Sequence, residues 1–218
     1  MQLTRLTLLS MVFILLAACA RQPTQAVTAG ELLRDVRFDD PRDWESYRDP
    51  ALQVEGQVVD GVYRMTARNG GFMWALSDEL YDDVIVEVET EQQSDFADNA
   101  YGLMCRAAPD AAGDGYYFFI SADGYYTIRR GAGSEVDALV QWTAHDAIQQ
   151  GRAFNRLRAV CVADYLALYV NNVLVAEVRD RRYQRGAVGM TVALPEDGDN
   201  DIVIAFDNLR VFAATIGD

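Results

Sequence analysis

The sequence specifies an all-β domain of stacked antiparallel sheets, on three observations. From about Val36 onward apolar and polar residues alternate, the period of a half-buried strand. No apolar stripe at helical spacing runs long enough to compete with that alternation. Short strand-like runs also meet at residue pairs that tolerate positive φ: Asp60-Gly61, Asp123-Gly124 and Asn171-Asn172. Each pair is a tight-hairpin signal.

The strands follow in order. Val58-Val59 and Val62-Tyr63-Arg64-Met65 flank the first hairpin turn. Val84-Ile85-Val86-Glu87-Val88-Glu89 places valines on one face and glutamates on the other. Tyr116 to Ile120 and Tyr125 to Ile128 flank the second turn, and Leu166 to Val170 and Val173 to Val178 flank the third. Tyr101, Leu103 and Cys105 share one strand face, as do Leu157, Ala159 and Cys161 on another. Both cysteines therefore point toward the core. In an oxidising compartment a Cys105–Cys161 disulfide is favoured, with a pair of separate core thiols as the alternative.

The 218 residues suit a single β domain, and the 50% hydrophobic content suffices for a core. The formal charge is −14, and every basic residue is an arginine. A nucleic-acid partner is excluded, because phosphate neutralisation needs a basic face. Adsorption to an anionic bilayer through charge is excluded on the same ground.

The N-terminus reads as a secretory signal over residues 1–18: Arg5 supplies the positive charge, and Leu6 to Leu16 an apolar run too short for a confident membrane span. Leu16-Ala17-Ala18-Cys19 resembles the lipobox of bacterial lipoproteins. That resemblance implies cleavage before Cys19, lipidation of its thiol, and residence in the cell envelope on a membrane. Residues 19–33, polar and small, read as a tether, with the sandwich over 34–213 and a short tail at 214–218.

Further along, Tyr101-Gly102-Leu103-Met104-Cys105-Arg106, Gly115 to Ile120 with Gly124-Tyr125-Tyr126, Asn155-Arg156-Leu157-Arg158, Leu168-Tyr169-Val170-Asn171 and Phe206 to Val211 form a familiar set. The set resembles the concanavalin A-like lectin/glucanase superfamily, and within it the laminin G-like and 3-keto-disaccharide hydrolase-like jelly rolls. The resemblance spans Phe38 to Phe212 and implies a jelly-roll sandwich. It marks strands and turns, so it identifies a fold better than an activity.

Several candidate sites follow. Glu87-Val88-Glu89-Thr90-Glu91 resembles the glucanase signature in which a nucleophile and an acid/base glutamate share a strand face, making Glu87 and Glu91 catalytic candidates. An exposed acidic strand face is the competing and favoured reading. In the glucanase-like jelly rolls an aspartate of the last strand holds a structural calcium, and Asp207 occupies the matching place, with carbonyls near Asp39 and Gly61 as co-ligands. Asp197-Gly198-Asp199-Asn200-Asp201 copies the opening of an EF-hand loop but lacks its later ligands, which favours a solvated turn. His145, the sole histidine, reads as an ordinary loop residue. Trp74, Tyr125, Tyr126 and Trp142 are candidates to stack on a ligand, since such rings combine a flat apolar body with a polar tip. The expectation is a lipid-anchored, non-catalytic recognition domain for a glycan. The alternatives are a glycoside or keto-sugar hydrolase, and an envelope scaffold whose partner is a protein.

Overall fold

A computed structural model describes residues 22–108, 113–195 and 199–217. The proposed signal peptide and Cys19 lie outside the described residues. Fifteen strands occur, and no helix is found among the described residues. They are β1 (Val27–Val36), β2 (Tyr47–Asp49), β3 (Val54–Val59), β4 (Val62–Arg68), β5 (Phe72–Leu76), β6 (Val84–Gln92), β7 (Ala100–Ala107) and β8 (Gly115–Ile120). There follow β9 (Tyr125–Ala132), β10 (Glu135–Ala144), β11 (Phe154–Val162), β12 (Tyr165–Val170), β13 (Val173–Arg179), β14 (Ala187–Ala193) and β15 (Asp201–Ile216).

The strands form two antiparallel sheets, as expected. The larger runs β13-β12-β11-β6-β15-β4-β3-β2, with β1 laid along β15; the smaller runs β10-β9-β8-β7-β14-β5. Chain neighbours pair as hairpins while β6, β14 and β15 cross between distant strands, which is the jelly-roll connectivity. The expected hairpin turns are present. Asp60 and Gly61 sit at φ 55° and 76°, and Asn171 and Asn172 at 50° and 68°. Positive φ at both central positions is the twist that suits a two-residue hairpin. Gly124, at φ 96°, closes the β8–β9 turn.

The core lies between the sheets. Met65, Val86, Leu157, Leu166 and Leu168 face it from the larger sheet, and Leu103, Phe118, Ile128 and Met190 from the smaller, all essentially inaccessible. Cys105 on β7 and Cys161 on β11 form the expected disulfide across it. Arg106, the next residue, is buried at φ 51° and donates to the carbonyls of Asp82, Ala163 and Tyr183 and to the Asp83 carboxylate. These bonds tie the segments beside the bridge together.

The expected boundaries shift. Val27 to Leu33, read as tether, belong to β1, which pairs over Val27–Val36 with Ile216 to Leu209. Ile216, read as tail, closes that ladder. Thr24 donates its backbone N–H and its hydroxyl to the Glu177 carboxylate, so the ordered domain begins at least ten residues earlier than residue 34. The small polar composition that suggested a linker conceals a strand held mainly through its backbone.

Candidate functional site

The acidic motif on β6 lies on the outer face of the larger sheet, where its geometry is that of a charge ladder. Register places Arg158 and Arg210 on either side of Glu87, and Arg156 and Asp207 on either side of Glu89. Glu87 accepts from Arg158 at 2.7 Å and from Arg210 at 2.8 Å. Glu89 accepts from Arg156 at 2.5 Å and from Asn208 at 3.0 Å, and the arginine holds its carboxyl below the usual glutamate range. Glu91 is exposed and accepts only from Gln93 among the described residues. The candidate pairing of Glu87 with Glu91 is therefore corrected: Glu87 already has two cationic partners, and the groove described below lies on the opposite side of the sandwich. The competing reading, an exposed strand face, fits Glu91 alone; Glu87 is buried and Glu89 half-buried beneath their arginine partners.

The outer face of the smaller sheet departs from ordinary strand chemistry. All of β8 is buried, on both faces. Tyr116, Phe118 and Ile120 enter the core, while Tyr117 and Phe119 turn outward and stack with ring centroids 5.5 Å apart. Phe72 and Trp74 extend this layer from β5, with centroids 4.9 Å apart. Between the aromatic rows β7 and β14 present Ala100, Gly102, Gly189, Thr191 and Ala193 together with the buried Met104, so the rings close over short side chains along most of this face. A Cβ on Gly102 would lie 1.9 Å from the Phe118 carbonyl oxygen, so any larger residue would push β7 and β8 apart.

A groove of about 640 Å³ runs along β9, β10 and the adjacent loops, a size usual for small-ligand sites. Phe72, Tyr117 and Phe119 line its floor, and Tyr125, Val136 and Trp142 its rim. Tyr125 and Trp142 remain 41% and 37% exposed, enough to offer ring faces to a ligand. Trp142 is placed by a bulge: Val140 pairs with Ile128 and Thr143 with Tyr126, so Gln141 and Trp142 together oppose Thr127. Bulges re-aim side chains in this way. Arg129 stands 5.7 Å from the Trp142 ring centroid.

At the β8–β9 turn Asp98 and Asp123 face the groove. Burial, and then the Asp98 charge, raise the Asp123 carboxyl above its ordinary value. Ser121 donates to it. Asn99 braces this end, donating to the Gln92 side chain and the Phe96 carbonyl and accepting from the Ala122 N–H. A surface of exposed rings, carboxylates and a guanidinium can hold a ligand with both apolar faces and hydroxyls.

Of the aromatic candidates, Tyr125 and Trp142 line this groove, and Trp74 lies on the same sheet face beside a neighbouring cleft. Tyr126 is corrected: it is 7% exposed, in the core, with its ring 6.2 Å from His145. Adjacent strand residues point to opposite faces, so Tyr125 and Tyr126 could not both serve one surface. His145 accepts the Ala147 N–H through Nδ1 and shapes its loop. Sequence reasoning did not find Phe72, Asp98, Asp123 or Arg129. The available signal was the unbroken apolar run of β8, which requires cover on both faces.

Asp207 sits at an irregularity of β15 next to Asn208, whose φ is 52°. Its oxygens accept from the Asn208 backbone N–H at 2.7 Å and the Asn208 amide at 3.2 Å. Burial, and with it the Glu89 and Asp39 charges, raise its pKa, while the hydrogen bond from the Asn208 backbone N–H acts in the opposite direction. No group of three or more His, Cys, Asp or Glu poised to hold a metal occurs among the described residues. Asp197 and Gly198 of the EF-hand-like run lie outside the described residues.

Comparison with known proteins agrees with the fold. The model of the 3-keto-alpha-glucoside-1,2-lyase-like domain matches residues 36–211. No curated protein matches the sequence. Among solved structures, the chain is similar to the carbohydrate binding module CBM66 from Bacillus subtilis, with 19% identity and a TM-score of 0.58 over 68% of this chain and 86% of that one. It is similar to a Bacillus subtilis protein of unknown function with a galectin-like fold, with 14% identity and a TM-score of 0.64 over 87% and 99%. The β-glucanase of Bacillus licheniformis resembles it at 9% identity, with a TM-score of 0.60 over 85% and 99%. At these identities the likeness is one of fold.

Proposed function

The chain belongs to the 3-keto-alpha-glucoside-1,2-lyase-like domain family, and we propose that it is an envelope protein, anchored through a lipidated Cys19, that binds a glycan in the groove of its smaller sheet. The observation that carries this reading is the pair of half-exposed rings, Tyr125 and Trp142, set beside a floor of buried aromatics. Pyranose rings have apolar faces and hydroxyl edges, and such a surface complements both. The same fold occurs in a protein described as a carbohydrate binding module. The recognition role is taken as non-catalytic because, of the candidate pair Glu87 and Glu91, Glu87 is engaged by Arg158 and Arg210, and both lie on the far sheet face. The experiment is thermal-shift screening of the mature domain against a broad glycan panel, followed by titration of Trp142→Ala. A stabilising glycan whose binding the variant abolishes supports the reading. A panel without any shift, alongside capture of a defined envelope protein, would replace it with the scaffold reading.

A second reading, cleavage of a keto-sugar or glycoside, is favoured by the family description and by Asp98 and Asp123 in the groove. A carboxyl of raised pKa such as Asp123 suits a general acid. Turnover of a 3-keto-glucoside that Asp123→Asn abolishes would support it, and absence of turnover would remove it.

The anchor has a geometric consequence. With Thr24 fastened to Glu177, the link back to Cys19 reaches at most about 17 Å, so the domain stays at the bilayer surface. Cys19→Ala should release the protein into the soluble fraction; retention in the membrane would contradict lipidation there. A structural calcium would be held by Asp207 with Asp39 nearby, neutralising their shared charge. Calcium should then raise the Tm of the wild type but not of Asp207→Asn, and equal response of both would exclude that site.

A further inference from the structure

The groove holds an arginine whose surroundings set it apart. Among the described residues, the other half-buried arginines each meet a carboxylate: Arg34 with Glu79, Arg64 with Asp60, Arg130 with Asp137 and Asp180, and Arg158 and Arg210 with Glu87. Arg129 makes neither an ion pair nor a hydrogen bond among those residues; its Nε is buried without a partner, as are those of Arg130 and Arg210, but only Arg129 also lacks a carboxylate on its terminal nitrogens. A shortage of acids is not the cause, since 33 carboxylate residues face 19 basic ones in this chain. Adjacent Arg130 takes two of them.

We propose that Arg129 is the recognition point for an oxyanion on the bound sugar, a uronate carboxylate or a sulfate ester, so that the ligand is an acidic rather than a neutral glycan. This inference rests on the groove being a glycan site. The Trp142 ring, 5.7 Å from the guanidinium carbon, supports Arg129 from one side and leaves its donors for a ligand. A guanidinium presents its N–H groups as a planar fork that matches carboxylate and sulfate oxygens, which an ammonium does not. Burial lowers the Arg129 pKa and no carboxylate acts against it, so the charge is partly desolvated without compensation. An arriving anion supplies that compensation.

The groove is also polar along its length. Asp98 and Asp123 occupy the turn end, near Tyr125. Arg129 stands four residues further along β9, about 14 Å away at strand rise. Carboxylates accept from sugar hydroxyls at one end while the guanidinium donates to the oxyanion at the other. An acidic oligosaccharide is thereby given a direction, with its charged residue beside Trp142.

The test is calorimetric titration of the mature protein with an oligogalacturonide, a sulfated galactan oligosaccharide and a neutral gluco-oligosaccharide. An acidic ligand should bind more tightly than the neutral one, and the two acidic arms identify which oxyanion is read. Arg129→Gln should weaken acidic binding about ten- to a hundredfold, the range for a hydrogen bond to a charged group, and leave neutral binding unchanged. Arg129→Lys, which keeps the charge without the fork, should fall between. If the wild type binds neutral and acidic sugars equally, or Arg129→Gln binds acidic sugars as before, the inference is overturned while the glycan site stands. If no sugar of either kind binds, both fall together. Should Arg129→Gln fail to fold, the wild-type comparison and the lysine variant decide.

Discussion

Replacing Cys105 and Cys161 together by alanine tests how the sheets are held to one another. The bridge joins β7 of the smaller sheet to β11 of the larger, with both residues inaccessible to solvent. Its ends are 56 residues apart, and the enclosed loop contains β8, β9 and β10, which carry most of the groove. In the chain-entropy model, closing a loop of that length restricts the unfolded chain by about 4 kcal/mol at 25 °C. For a domain of this size each kcal/mol corresponds to about 2–4 °C, so the double variant should melt about 8–16 °C lower. Scanning calorimetry of the oxidised wild type against the variant reads this directly. A drop below about 3 °C would refute the reasoning, because it would mean that the unfolded chain is not measurably restricted by the bridge.

Other outcomes follow from the electrostatics. Glu87→Gln leaves Arg158 and Arg210 facing each other without their shared counter-ion, and should cost about 1–3 kcal/mol in urea denaturation without touching groove binding. Loss of ligand binding at unchanged stability would reverse that assignment. The Asp123 pKa is raised in the folded state, so its contribution to stability is complete below the ordinary aspartate value and lost as pH rises through the folded one. Denaturation from acid to neutral pH should therefore show Asp123→Asn gaining on the wild type, and a gain confined to acid would contradict it. Glu89 has the opposite sign: Arg156 lowers its pKa, so its contribution is present above the ordinary glutamate value and lost as pH falls. Glu89→Gln should accordingly be less stable than the wild type at neutral pH and converge with it in acid; a constant difference would count against the pairing.

Much of the fold was legible because its determinants are local. Asp60-Gly61 and Asn171-Asn172 fix hairpins through backbone preference alone, and alternation on β6 and β11 fixes which face each residue takes. Alternation placed both cysteines inward, and the expected oxidising compartment favoured pairing them over two separate core thiols. The first part of the strand Val27–Val36 was missed because its residues show no alternation, with Leu32 and Leu33 adjacent and both exposed; it is defined by its partner β15, far away in sequence. The site was legible only in part. Glu87 and Glu91 suggested catalysis when read alone, yet Arg156 and Arg158 on β11 repeat the spacing of Glu89 and Glu87, and pairing the two motifs would have indicated a charge ladder. Tyr126 could have been rejected from its adjacency to Tyr125. Arg129, Asp98 and Phe72 come from separate strands and loops, and the bulge that turns Trp142 toward Arg129 leaves no mark in the sequence. Their convergence is a property of sheet order.

Hydrogen exchange of the mature domain, with and without a glycan that stabilises it, measures most directly which surface is used. Protection should concentrate on β9, β10 and the β8–β9 turn, the segments that carry Tyr125, Arg129, Asp123 and Trp142. Protection confined to β6 and β11, around Glu87 and Arg158, would place the ligand on the opposite face and contradict the account.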